Sequence, residues 1–263
     1  MPATPNPTPI LLSTSAANDG GFIAIADLAS AAIDAGLGDD YRLLGGVAVM
    51  LHVQRLGLDL PLRATSDADY GVPPKVLNDG RLVAALEARG YQKVMGNRWE
   101  RAVDTRTAAV DLLIPAYTSR PRHTRRVGSV VTTEVPGLAE AFLRPPVDTQ
   151  ARLVLTTGER LETRVVLPDP AAMLILKAGA RTVRDEARDA TDLWRCLEVA
   201  YASGLDAVTF DADDNLVAFK PVLERELAVS GRALPAITDG LTAEAATRIT
   251  TRIQALLRHV TGI

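Results

Sequence analysis

Gly45-Gly46 divides a short apolar run, Tyr41-Arg42-Leu43-Leu44, from a longer one, Val47 to Val53. The first run has the length of a strand, and the second continues toward Gly57 as a short helix. The segment therefore predicts a strand that turns on two glycines directly into a helix. A backbone without side chains permits close approach at that corner, and the unpaired N–H groups and dipole of a helix start favour an anion. Gly45 and Gly46 are candidate phosphate contacts, with a plain tight turn as the alternative.

Around this corner the pattern alternates. Phe22, Ile25, Leu28, Ala32 and Ile33 recur at helical spacing, and Gly36 and Gly38 end the run. Asp67 to Val72 reads as a strand stopped by Pro73-Pro74, and Val76 to Arg89 as a helix weakened by Gly80. Trp99 to Val103 and Ala108 to Ile114 read as strands, and Arg120 to Gly128 as a basic loop. Ala151 to Thr156 and Glu162 to Leu167 form a predicted hairpin around Thr157-Gly158. Beyond Pro168 only helical patterns remain, at 171–183, 187–202, 221–228 and 243–260. The expected class is α+β, with a helical C-terminal part. Residues 1–20, rich in Pro, Thr, Ser, Ala and Asn, are expected to form a flexible arm, 21–167 a mixed domain and 168–263 a helical one.

Composition removes several function classes. The single cysteine, Cys196, excludes an intramolecular disulfide and a cysteine-cluster zinc site, and His52, His123 and His259 have no metalloprotease spacing. No apolar stretch approaches the roughly eighteen residues of a membrane span, and the N-terminal segment lacks the features of a secretory signal, so a cytoplasmic chain without a membrane partner is expected. A formal charge of −3 over 263 residues places any nucleic-acid contact on a local patch. Arg120, Arg122, Arg125 and Arg126 form the dense basic run and are candidate RNA-backbone contacts, with a solvated loop as the alternative. His52 reads as a core histidine, Trp99 and Trp194 as packing residues and Cys196 as an inert buried thiol.

The chemistry-bearing feature is Asp67-Ala68-Asp69. Alternate strand residues share a face, so the two carboxylates stand side by side and repel each other. A divalent cation relieves that repulsion, and hard oxygen donors in a histidine-poor chain favour Mg²⁺ or Mn²⁺. Asp111 interrupts the apolar run from Ala108 to Ile114, and a carboxylate buried there calls for a nearby cation or donor. Lys177 is one of four lysines among 29 basic residues and lies in an apolar helix, which suggests either phosphate contact or a snorkelling side chain. Arg63 is placed to contact phosphate or to pair with Asp67. Asp189 and Asp192 share a helix face and could pair with Lys177 or Arg184, or lie on a solvated face.

Three blocks, Leu44-Gly45-Gly46-Val47-Ala48, Arg63-Ala64-Thr65-Ser66-Asp67-Ala68-Asp69 and the separated Asp111, occur in an order that resembles the nucleotidyltransferase superfamily that includes DNA polymerase beta. With His52, the segment from Pro170 to Lys177, and Arg188-Asp189-Ala190-Thr191-Asp192-Leu193, the chain is similar more narrowly to the AbiEii and MenT toxins of type IV toxin–antitoxin systems. Leu176 stands where that family often carries Glu before the lysine. The resemblance implies a mixed β-sheet flanked by helices and followed by a helical domain. It implies Mg²⁺ or Mn²⁺ held by Asp67, Asp69 and Asp111, with Lys177 among the catalytic residues. Gly45, Gly46, Arg63, Ser66, Lys177, Asp189 and Asp192 would bind the nucleotide. The implied reaction moves a nucleoside monophosphate from an NTP to the 3′ end of tRNA, blocking translation, with a cognate antitoxin as partner. A small-molecule nucleotidyltransferase of the aminoglycoside-modifying kind and a non-catalytic nucleotide-binding regulator are the alternatives.

Overall fold

The computed structural model describes residues 8–63, 65–118 and 120–263. The first seven residues of the expected arm, and Ala64 within the Arg63-to-Asp69 string, lie outside the described residues. The chain divides into two compact units, Met1–Pro168 and Asp169–Ile263.

In chain order the first unit contains β1 (Ile10–Leu12), α1 (Ala16–Asp34), β2 (Arg42–Leu43), α2 (Gly45–Arg55), β3 (Ala68–Gly71), α3 (Pro74–Asp79), α4 (Arg81–Ala88), β4 (Gln92–Met95), β5 (Arg98–Val103), β6 (Arg106–Pro115), β7 (Arg125–Val127), β8 (Val130–Val135), α5 (Leu138–Leu143), β9 (Val147–Val154) and β10 (Arg160–Leu167). The strands form two sheets. One has the order β1-β9-β10, with β1 parallel to β9 and β10 antiparallel to it. The other runs β2-β3-β6-β5-β4, with β8 pairing β6 and β7 pairing β8. Its middle is mixed, because β3 is parallel to β6 while β5 is antiparallel to β6.

Helix α1 packs against this mixed sheet. The Tyr70 hydroxyl on β3 donates to the Ile25 carbonyl (3.2 Å), and a Cβ at Gly20 would overlap the Thr107 carbonyl on β6. A Cβ at Gly21 would meet the Ser66 backbone at 3.0–3.1 Å. The two glycines are thus contact points inside a helix, and the expected start of folding after residue 20 is corrected. From residue 10 the chain is already ordered, as β1 and then as α1, whose N-cap Ser15 accepts from the Asn18 amide. Buried Asp19 closes this region: it accepts from the Thr156 amide (2.8 Å) and hydroxyl (2.5 Å) and pairs with Arg106 (3.2 Å). The helix expected from Phe22 onward thus begins earlier, at Ala16, and its first turns carry no apolar pattern because the buried Asn18 and Asp19 find partners distant in sequence.

Other differences have local causes. The helix expected over 76–89 is two helices, since Gly80 adopts φ +78° as the end of α3 and the cap of α4. The basic loop expected over 120–128 includes strand β7, and β4, β8 and α5 are further elements that apolar patterning did not mark. All four residues of β4 are exposed, so that strand carries no alternation to read.

The second unit is helical: α6 (Pro170–Val183), α7 (Ala187–Ala202), α8 (Ala207–Asp211), α9 (Asp214–Val217), α10 (Lys220–Leu227), α11 (Leu234–Thr238) and α12 (Ala243–Thr261). Asp169 caps α6 by accepting from the Ala172 amide (2.8 Å), and Pro170 supplies the preset first-turn geometry. Leu174, Leu193, Leu197, Phe210, Leu223 and Leu256 are among its buried residues. The fold class is therefore α+β, mixed sheets flanked by helices with a helical C-terminal part, as expected. Among the described residues no helix is long and apolar enough to cross a membrane.

Candidate active site

The site is built on the central strands of the mixed sheet. In the β3–β6 register Asp69 lies opposite Asp111, and in the β5–β6 register Arg98 lies opposite the same Asp111. Adjacent positions across a sheet share a face, so Asp69, Asp111 and Arg98 form a row across three strands. Asp67 precedes β3 and, two residues before Asp69, returns to that face. Tyr70 and Val110, the buried neighbours in between, turn to the other side.

The glycine corner meets this row. Leu44 donates its amide to the Asp69 carbonyl (2.8 Å), which sets the end of β2 against β3. Gly45 follows with φ +70°, and a Cβ there would overlap Asp69 Oδ2. A Cβ at Gly46 would overlap the Arg63 guanidinium. The glycine pair therefore lets a carboxylate and a guanidinium approach the first turn of α2 together. The N-cap, Leu44, offers no side-chain acceptor to that turn.

Arg98 joins the acidic groups. Its Nη1 donates to Asp111 Oδ2 (3.0 Å), Nη2 lies 3.5 Å from Asp67 Oδ1, and Nε donates to Glu100 Oε1 (2.7 Å). Asn97 donates to Asp111 Oδ1 (3.3 Å), and the Ser66 hydroxyl donates to Asp67 Oδ1 (2.7 Å). Burial, followed by the charge of Asp69 and then that of Asp67, raises the Asp111 carboxyl to about 6, while Arg98 opposes the rise. Burial works against the Arg98 charge, but Glu100, Asp111 and Asp67 together hold its guanidinium above the usual arginine value. Among the described residues no group of three or more His, Cys, Asp and Glu closes on a metal position. The donor set nevertheless has the chemistry of a hard cation site, since the charges of Asp69 and Asp67 raise Asp111 and added positive charge would relieve it.

A cleft of about 420 Å³ opens beside the row, lined by Ser66, Asp67, Arg98, Glu100 and Arg106 among others. Asn18 donates to the Thr65 carbonyl (2.7 Å) and ties the segment leading to Asp67 onto α1. His52, on α2, is fully buried and bonds through Nε2 to the Pro168 carbonyl (2.8 Å), while Arg55 donates to Nδ1 (3.3 Å). Burial, then the nearby Arg55 charge, lowers it to about 4, so it is a neutral core histidine.

The second unit gathers the later candidates by itself. Lys177 Nζ lies 2.9 Å from Asp192 Oδ2 and 3.6 Å from Asp189 Oδ1, with all three side chains buried. Arg195 pairs with Asp192 (3.0 Å), Arg184 with Asp189 (2.6 Å), and Arg181 with buried Glu226 (3.0 Å). Of the readings open for Asp189 and Asp192, the structure has them paired with Lys177 and with arginines, and the solvated face is corrected. In the basic run Arg120, Arg122 and Arg126 are exposed. Arg125 pairs with Glu134 (2.6 Å), whose other oxygen accepts from the Arg122 amide (2.9 Å).

Arg98, Asn97 and Glu100 are the site residues that sequence reasoning missed. The usable signal was the alternation Arg98-Trp99-Glu100 around a buried tryptophan, which puts both charges on one face. No protein-family model matches the chain, and no curated protein does. Among solved structures, the chain is similar to an antigenic nucleotidyltransferase-like protein from Paracoccidioides brasiliensis, at 15% identity and a TM-score of 0.46, over 90% of this chain and 99% of that one.

Proposed function

We propose that the chain is a Mg²⁺- or Mn²⁺-dependent nucleotidyltransferase that moves a nucleoside monophosphate from an NTP to an acceptor hydroxyl. The observation that carries this reading is the row of Asp69 opposite Asp111, with Asp67 on the same face, set against the glycine corner of α2. Asp67, Asp69 and Asp111 would hold the metal, which when bound supplies charge neutralisation to the triphosphate and acidifies an attacking hydroxyl. The remaining work falls to the chain. Gly45 and Gly46 let Asp69 and the Arg63 guanidinium sit against the α2 start, where the first-turn amides, Arg63 and the Ser66 hydroxyl would be the donors to the triphosphate. The cleft beside Asp67 holds the acceptor hydroxyl in line with the α-phosphorus, and positioning and charge stabilisation carry the rate.

The acceptor in this reading is the 3′ end of tRNA, with exposed Arg120, Arg122 and Arg126 and half-buried Arg125 engaging the RNA backbone. The cellular consequence is blocked translation by a toxin that a cognate antitoxin restrains. Each α-labelled NTP, incubated with Mg²⁺, the protein and total cellular RNA, should label a tRNA-sized band for one nucleotide. If RNA stays unlabelled while pyrophosphate is released with small-molecule acceptors, the acceptor is a small molecule and the toxin reading fails. NTP binding with no pyrophosphate release from any acceptor would leave only a binding protein.

A further inference from the structure

We propose that Arg98 is the resident counter-cation of the carboxylate face, bridging Asp67 and Asp111 in the metal-free protein and competing with a divalent cation for them. The inference rests on the divalent-cation reading above.

Three carboxylates surround one guanidinium: Asp111 at 3.0 Å, Asp67 at 3.5 Å and Glu100 at 2.7 Å. A guanidinium remains charged at any working pH and presents its donors as a planar fork, so it can satisfy two carboxylates from different strands at once. The same oxygens are the donors a divalent cation needs. The carboxylates share a face, and the guanidinium lies between the two that come from different strands. Arg98 occupies the position of positive charge.

The arginine also has a place to go. Glu100 lies two residues along β5 and therefore on the same face, and it holds Nε rather than the Nη groups that reach the aspartates. The Arg98 side chain is 30% exposed and that of Asp67 is 38% exposed, so the bridge borders the cleft rather than the core. A change of the outer arginine torsions would carry the rigid guanidinium plane away from Asp67 and Asp111 together, and the Glu100 side chain, on the same face, can follow it. The Asp67 arm, at 3.5 Å and beside solvent, is individually weak and is the one a divalent cation displaces first, whereas the Asp111 arm is shorter and more buried.

Competition and support differ in sign. If Arg98 only props the carboxylates in place, its removal loosens them and weakens metal binding. If it competes, removal strengthens binding. Mn²⁺ titrated into the full chain without nucleotide, with free Mn²⁺ read by its paramagnetic resonance, separates the two. Arg98→Gln should bind Mn²⁺ about tenfold tighter than wild type, a gain of about 1.4 kcal/mol. Arg98→Lys, a point charge that cannot fork across two carboxylates, should be intermediate, and it decides the matter alone if the Gln variant fails to fold. Adding Asp67→Asn to either variant should abolish the gain, which locates the cation. Equal or weaker binding by both Arg98 variants, with wild type binding measurably, overturns the competition and leaves the metal reading standing. Absence of Mn²⁺ binding from wild type and both variants overturns the competition and the metal reading together.

Discussion

Gly45 meets two requirements at once: a positive φ and the absence of a Cβ against Asp69. Gly45→Ala should therefore cost about 1–2 kcal/mol from left-handed strain alone, read as a lower urea midpoint, and should displace Asp69 enough to lower transfer further. His52 gives a pH signature. Its folded value of about 4 lies below the unfolded value near 6.5, so the unfolded chain binds the extra proton. The stability it confers is complete above about pH 6.5 and is lost as pH falls toward 4, by up to about 3 kcal/mol. Denaturant unfolding followed from pH 7 to pH 4 should show that loss in wild type and a shallower one in His52→Gln. At this scale the aspartates were legible, because period two and an acid inside an apolar run are properties of the chain itself. Arg98 was not, because only the antiparallel register of β5 on β6 sets it opposite Asp111.

The elements show a similar division. Gly20 looks like a boundary in the sequence and is a contact in the structure, where α1 lies so close to β6 that a methyl group would overlap the Thr107 carbonyl. In an exposed helix, Gly→Ala stabilises by about 1 kcal/mol. Here Gly20→Ala should instead destabilise by about 1–3 kcal/mol, through displacement of α1 from the sheet, and thermal unfolding gives the sign directly. Long helices such as α6, α7 and α12 announce themselves by their helical patterns. Short pieces such as α8, α9 and α11 are fixed by packing, and β4 is fixed by pairing with β5 alone. Between α6 and α7 the buried Lys177–Asp192 pair should be costly to break from one side. Asp192→Ala would take the carboxylate from both Lys177 and Arg195 and leave the buried ammonium with the longer Asp189 contact, and a loss of about 3 kcal/mol in denaturant unfolding is expected.

For the whole molecule, a charge of −3 makes the basic run around Arg120 to Arg126 the natural carrier of any RNA affinity. Replacing Arg120 and Arg126 by Ser should weaken tRNA binding and reduce the slope of log affinity against log salt by about two, measured by filter binding at several salt concentrations. Such a change would leave pyrophosphate release with water as acceptor unaltered, since neither residue belongs to the carboxylate row. Nucleotidyl transfer itself is tested most directly by comparing wild type with Asp67→Asn in Mg²⁺-dependent transfer of α-phosphate label. The half-exposed position of Asp67 predicts an unchanged thermal midpoint and a rate lower by at least about 10²–10³-fold. Label transfer by Asp67→Asn at the wild-type rate, from equally folded protein, would contradict the assignment of this site.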